Sequence, residues 1–363
     1  MDKTLFLCIL VIPQLLVNPH HGQASDTTTL APAMFLFGDS LTDSGNNNYI
    51  PTMARANYFP YGIDFGYPTG RFCNGLTAVD FAARKLGLPL IPPYLSLQSN
   101  TTSILNGVNY ASAAAGILEE TGQHYGARIT LSGQVSLFES TITQHLQPLF
   151  QNPNKLNQYI AKSIFLINIG SNDYINNYLL PSMYESSQIY DGEAFADLLI
   201  NKLSEQLSKL YKLGARKMVL AGLAPLGCIP SQLSLASDNN CIEQVNELVT
   251  MFNSRLIWLI NTLNASLPGM IFVYENIYNL FNDMVNNAPS YGFLVADTAC
   301  CGNGRDGGYF TCLPMQQPCA IRNQHIFWDS FHPTQAVNAI IAESCNNFST
   351  TCYPMSIDQL VQL

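Results

Sequence analysis

Ala33-Met34-Phe35-Leu36-Phe37-Gly38-Asp39-Ser40-Leu41-Thr42-Asp43-Ser44-Gly45 is the stretch on which the reading of this 363-residue chain turns. Five apolar residues in a row, closed by Gly-Asp-Ser, read as a buried strand that runs straight into a tight turn. Such a turn presents a hydroxyl at the carboxyl edge of a sheet, where parallel sheets gather their reactive groups. A serine hydroxyl is a weak nucleophile until a base takes its proton, and a carboxylate commonly holds that base in the right tautomer. The turn therefore predicts a parallel sheet around it and a histidine and an acid elsewhere in the chain.

Four further apolar runs read as strands: Gly107 to Ala111, Ile164 to Ile169, Lys217 to Ala221 and Met270 to Tyr274. Each is bounded by Gly, Asn, Asp or Pro. Between them lie helical patterns. Phe195, Leu198, Leu199, Leu203, Leu207 and Leu210 recur at three- and four-residue spacing over Phe195 to Leu213 before Gly214 stops them. A second helix is predicted over Ile242 to Asn264, and a last one after Pro333. Strand and helix in alternation predict an α/β fold, a three-layer α/β/α sandwich on a mainly parallel five-stranded sheet. With no Pro-, Gly- or Ser-rich linker and no internal repeat, residues 25–363 read as a single domain.

The partners that Ser40 needs stand near the other end, in Trp328-Asp329-Ser330-Phe331-His332-Pro333. Asp329 and His332 are three apart on a turn leading into a helix, so one turn can present both. His124, His145 and His325 have no acidic residue within three positions and read as ordinary histidines. A tetrahedral intermediate also needs donors aimed at its oxyanion. Two segments after predicted strands can supply them: Asn109-Tyr110-Ala111-Ser112-Ala113-Ala114-Ala115-Gly116, through the Gly116 N–H, and Gly170-Ser171-Asn172-Asp173, through the Asn172 amide.

Residues 1–24 have the layout of a secretory signal peptide: Lys3, an apolar run from Leu5 to Val17, then Gly22-Gln23-Ala24. The run is broken by Pro13 and Gln14 and falls short of the roughly 18–20 residues a bilayer span requires. A secreted, extracellular protein without a membrane span is the expectation. Of ten cysteines, only Cys8 leaves with the leader, so nine remain for an oxidising compartment and one is left over. Cys228 with Cys241 and Cys345 with Cys352 are the locally plausible pairs, Cys73 is the candidate free thiol, and pairing among Cys300, Cys301, Cys312 and Cys319 stays open. Zinc at that cluster with His325 is the competing reading, but the spacings contain no C-x-x-C pair, and neither metal nor cofactor is expected. Asn100, Asn264 and Asn347 head N-x-S/T glycosylation sites. A net charge of −9 with only 11% charged residues leaves no basic stripe for phosphates, which argues against nucleic-acid binding.

Taken together, Phe37-Gly-Asp-Ser-Leu-x-Asp-x-Gly-Asn-Asn-Asn, Asn-Tyr-Ala-Ser, Gly-Ser-Asn-Asp and Phe327-Trp-Asp-x-Phe-His-Pro-Thr resemble the blocks of the plant GDSL esterase/lipase family of the SGNH hydrolase superfamily. The resemblance spans nearly the whole mature chain. It implies Ser40 as nucleophile and first oxyanion donor, Gly116 and Asn172 completing the hole, His332 as base and Asp329 as its partner. It further implies a carboxylic ester substrate: a lipid, an acetylated glycan or a small-metabolite ester, cleaved by hydrolysis or passed to an alcohol by acyl transfer. One departure is visible, since relatives often carry glycine where Ala113 and Ala114 stand, and alanine resists positive φ. Other classes fit less well. Asp43-Ser44-Gly45 lacks the second copy an aspartic protease dyad needs, no Gly-x-Ser-x-Gly elbow marks an α/β-hydrolase, and a binding or defence protein that had lost turnover would not be expected to keep Ser40, Asp329 and His332 together.

Overall fold

The apolar run that precedes Ser40 forms strand β1 (Met34–Gly38), wholly buried. In the computed structural model, which describes residues 29–97, 103–238, 240–345 and 351–363, β1 pairs with β2 (Gly107–Asn109) on one side and β3 (Ile164–Asn168) on the other. β4 (Lys217–Ala221) and β5 (Ile271–Glu275) extend the sheet, and all four of these pairings are parallel. The expected leader and the sequons at Asn100 and Asn347 lie outside the described residues. A sixth strand corrects the expected count of five: β6 (Cys352–Tyr353) lies antiparallel on the free edge of β5. Two residues are too few to show a period, and the Cys345–Cys352 disulfide holds them in place.

Eight helices longer than five residues appear among the described residues: α1 (Ala78–Lys85), α2 (Leu131–Thr141), α3 (Pro153–Lys162), α4 (Gly192–Lys212), α5 (Glu243–Ser266), α6 (Ile277–Asn286), α7 (Gln335–Ser344) and α8 (Ile357–Gln362). Because side chains alternate along a strand, each face of the sheet buries its own set. Phe35, Phe37, Phe165, Ile167, Met218, Leu220 and Phe272 pack against the apolar stripes of α2 to α5. Met34, Leu36, Leu166, Val219 and Val273 pack against α1 and α8. This is the expected three-layer sandwich.

The helix readings hold with small shifts at their ends. α4 begins where the Asp191 carboxylate caps the Ala194 N–H and ends at Gly214, whose φ of +104° an L-side chain resists. At the end of α5 the Asn264 amide accepts from the Phe272 N–H at 2.8 Å and donates to the Phe272 carbonyl at 3.2 Å, tying helix to strand. Both halves of that side chain are thus engaged, which sets Asn264 apart from an open glycosylation site.

Four disulfides are formed: Cys228–Cys241, Cys300–Cys319, Cys301–Cys312 and Cys345–Cys352. The two local pairs are those expected, Cys73 is free and buried, and the Cys300 to Cys319 cluster has its sulfurs spent on each other. Among the described residues no group of three or more His, Cys, Asp or Glu is placed to hold a metal ion, and no helix is long and apolar enough to cross a membrane.

Candidate active site

Ser40 follows β1 by two residues, and the turn that carries it is anchored from below. Gly38 lies so close to β3 that a Cβ there would stand 2.3 Å from the Asn168 carbonyl oxygen. Gln134 of α2 grips the same residue: its Oε1 accepts the Gly38 N–H at 2.9 Å, and its Nε2 donates to the Gly38 and Ile129 carbonyls at 2.8 and 2.9 Å. Asp43 accepts the N–H groups of Gly45, Asn46 and Asn47 and that of Ala113. Asn46 and Asn47 then reach across to the carbonyls of Asn109, Ala111 and Ala113, so the Gly-Asn-Asn-Asn run clamps the β2 loop to the nucleophile turn.

On the opposite wall the turn after Trp328 brings its two partners together. Asp329 accepts the N–H groups of Phe331 and His332 at 2.9 Å each, and His332 Nδ1 sits 2.7 Å from Asp329 Oδ1. His332 Nε2 lies 2.8 Å from Ser40 Oγ, 292 residues away in sequence. Asp329 is fully buried; burial raises its carboxyl, but the charge of His332 and the hydrogen bonds from His332, Tyr61 and Phe331 outweigh this and hold it below the usual range. Tyr61 donates to Asp329 Oδ2 at 2.5 Å, and burial together with the Asp329 charge keeps its phenol well above the ordinary value, so it remains a donor. The turn is backed by the disulfide-rich loop, since Cys300 N–H donates to the Phe327 carbonyl at 3.0 Å and Cys301 N–H to that of Trp328 at 2.7 Å.

The third wall comes from the loops after β2 and β3. Asn172 borders the cleft beside Ser40, with Nδ2 donating to the Ala115 carbonyl at 2.9 Å and Oδ1 accepting from Asn176 at 2.6 Å. One Nδ2 proton is left over. Asp173 accepts the Ile117 and Leu118 N–H groups and the Thr121 hydroxyl, which fixes one loop to the other. Gly116 lies behind this wall: a Cβ there would meet Thr121 and Asp173 within 2.7 Å, and the residue does not line the cleft. Ala113 and Ala114 do, and Ala114 has φ of +66°, the left-handed conformation that alanine resists.

Three acids in this neighbourhood carry raised carboxyls. Asp39, next to Ser40, accepts the Leu41 N–H through Oδ1 while its buried Oδ2 has no partner, and burial pushes it to about 7. Burial likewise lifts Asp43 and Asp173 to about 6 despite their backbone donors. Sequence reasoning had no purchase on Gln134 or Tyr61, which reach the site from 96 and 268 residues away. Nothing local to either residue announces its target.

The sequence that builds this cleft has relatives among known proteins. Residues 34–345 match the model of the GDSL-like lipase/acylhydrolase family. The chain belongs to that family. GDSL esterase/lipase 7 of Arabidopsis thaliana is 62% identical over 99% of this chain and 100% of its own length. GDSL esterase/lipase At5g08460 and GDSL esterase/lipase At1g71250 of the same plant are 49% and 47% identical over 94% and 92% of this chain, and 90% and 89% of theirs. This GDSL family member is a carboxylic ester hydrolase, as the sequence blocks implied.

Proposed function

We propose that this hydrolase works through an acyl-enzyme on Ser40, with His332 as general base and Asp329 as its orienting partner. The observation that carries the reading is the 2.8 Å approach of His332 Nε2 to Ser40 Oγ, with Asp329 on the other ring nitrogen. His332 takes the hydroxyl proton as Oγ attacks the ester carbonyl, and Asp329 stabilises the imidazolium that forms. The negative charge on the former carbonyl oxygen is met by the Ser40 N–H, the free Nδ2 proton of Asn172 and a donor from the β2 loop. We assign that middle donor to the Ala114 N–H in place of Gly116, because Ala114 borders the cleft and spends backbone strain there. The imidazolium then returns its proton to the departing alcohol. Water enters, gives a proton to His332, attacks the acyl carbon and releases the carboxylic acid and the free serine. An alcohol in place of that water gives acyl transfer by the same steps.

The cleft, about 180 Å³ and mainly apolar in its walls, suits an ester with an apolar acyl chain, a lipid or small-metabolite ester, over an acetylated glycan. The leader-like residues 1–24 and four disulfides support export, with glycans expected at Asn100 and Asn347 but not at Asn264. Ser40→Ala is expected to remove nearly all turnover of 4-nitrophenyl esters and all labelling by a fluorophosphonate probe while leaving the thermal transition in place. A folded Ser40→Ala protein with wild-type kcat overturns the mechanism. Asn172→Ala is expected to lower kcat by roughly 10²–10³ with little change in KM, the loss typical of one oxyanion donor.

A further inference from the structure

The register of the sheet lines up four residues at its carboxyl edge. Gly38 stands beside Asn168 and Ala221 beside Glu275, while the pairing of Ile167 with Leu220 brings Asn168 next to Ala221. Leu36, Leu166, Val219 and Val273, two residues back on each strand, face α1 and α8, so this last rung points the same way. Two of its members have little side chain, and the helices across from it present Ala78, Ala82 and Ala342. Small residues on both sides leave a chamber, continuous with the cleft at Ser40, that runs along the sheet edge to Glu275.

Glu275 is the anomaly in that chamber. It is 94% buried (6% exposed), lines the cavity, and makes no side-chain hydrogen bond or ion pair with any described residue. Burial alone pushes its carboxyl up to about 7. Buried polar groups are ordinarily partnered, and a lone buried acid is a standing cost to the fold. Such a cost is typical of positions kept for a ligand.

We propose that the chamber holds the acyl chain of the ester and that Glu275 binds a hydroxyl at the far end of that chain. The inference rests on the reading of Ser40 as nucleophile. The acyl group belongs inside because it stays on Ser40 while the alcohol must leave and water must enter, and both use the open mouth beside Met53, Arg55 and Tyr125. Three strand spacings separate β1 from β5, so Glu275 lies roughly 14 Å from the reactive end. With bonds of about 1.5 Å, an extended zigzag advances about 1.25 Å per C–C bond, so that span takes roughly eleven to twelve carbons. A hydroxyl there both donates to and accepts from the carboxyl, and a plain methyl terminus leaves the acid unpaired beside it.

The test is kcat/KM on 4-nitrophenyl esters of eight to sixteen carbons, each with and without a terminal hydroxyl, for the wild type, Glu275→Gln and Glu275→Leu. The wild type is expected to favour the hydroxylated chain by about tenfold or more, with the preference peaking near the length that spans the chamber. Glu275→Gln keeps part of that preference, and Glu275→Leu abolishes it while melting at or above the wild-type temperature. No preference at any length, or the same preference in Glu275→Leu, overturns the proposal. A Glu275→Leu protein that melts well below the wild type makes Glu275 a fold residue and overturns it too. Ser40→Ala separates the two readings. If Ser40→Ala loses the turnover that the wild type shows on any of these esters, a missing hydroxyl preference defeats the present inference alone; if a folded Ser40→Ala protein keeps that turnover, both fall.

Discussion

Replacing Gln134 by leucine, a change no sequence motif flags, is expected to damage this enzyme in two separable ways. Gln134 is fully buried and makes three hydrogen bonds, to the N–H and carbonyl of Gly38 and to the Ile129 carbonyl. Leucine has about the right volume and can partner none of them. The Gly38 carbonyl keeps the Ser112 N–H at 3.0 Å, so two backbone groups are left unsatisfied, and at about 1–3 kcal/mol each they cost roughly 2–5 kcal/mol even with partial rescue by water or relaxation. Against a typical total of about 5–15 kcal/mol, that is a large fraction, to be read as a lower midpoint in urea with an unchanged slope. Gly38 is also two residues from Ser40, and a shift of about 1 Å at a reacting atom can cost on the order of 10²-fold in rate. Measured at low temperature on folded protein, kcat should therefore fall much more than KM rises. Gln134→Glu is the informative partner, because its second oxygen faces two carbonyls and binds well only when protonated. That variant should recover stability as pH falls. A Gln134→Leu enzyme with wild-type midpoint and kcat would refute the anchoring argument.

Tyr61→Phe deletes a hydrogen bond to a buried carboxylate, worth about 1.5–3 kcal/mol at neutral pH. The folded carboxyl of Asp329 is depressed, so it stabilises the fold above its unfolded value and loses that contribution as pH falls through the folded one. Without Tyr61 the folded value rises, and acid unfolding should begin at a less acidic pH in a melting series. Asp39 and Glu275 at about 7, and Asp43 and Asp173 at about 6, act in the opposite sense. They hold protons in the fold that the unfolded chain has released, so the melting temperature should decline as pH rises from about 4 to 7, and Glu275→Gln should flatten that slope. Cys73 is buried with its thiol pushed up to about 12, so iodoacetamide should leave it untouched in native protein and label it once the chain is denatured without reductant.

What was legible in the sequence shares one property: the signal sits within a few residues of its consequence. The run ending at Gly38 announces β1, the three-residue spacing of Asp329 and His332 announces one turn, and Cys228 and Cys241 lie 13 residues apart. β6 escaped because two residues carry no period, and its position depends on a disulfide and on the edge of β5. Gln134, Tyr61 and Glu275 escaped because their meaning is set by elements far away in sequence. The β2 loop hides its geometry for a subtler reason. Glycine attracts the eye as the residue free to adopt positive φ, yet Gly116 is glycine because Thr121 and Asp173 leave no room for a Cβ, and the left-handed position is taken by Ala114.

The backing of the Trp328 turn has a consequence for when the enzyme can work. Its carbonyls are held by the N–H groups of Cys300 and Cys301, and both cysteines are bridged, to Cys319 and Cys312. Asp329 and His332 therefore hang from a loop whose shape depends on oxidised sulfur, whereas Ser40 rests on a strand that needs none. On the proposed reading of His332 as base, a chain with these four cysteines reduced holds its serine in place with no base braced beside it. The two bridges then act as a safety catch, and ester-cleaving power is expected only once both have formed.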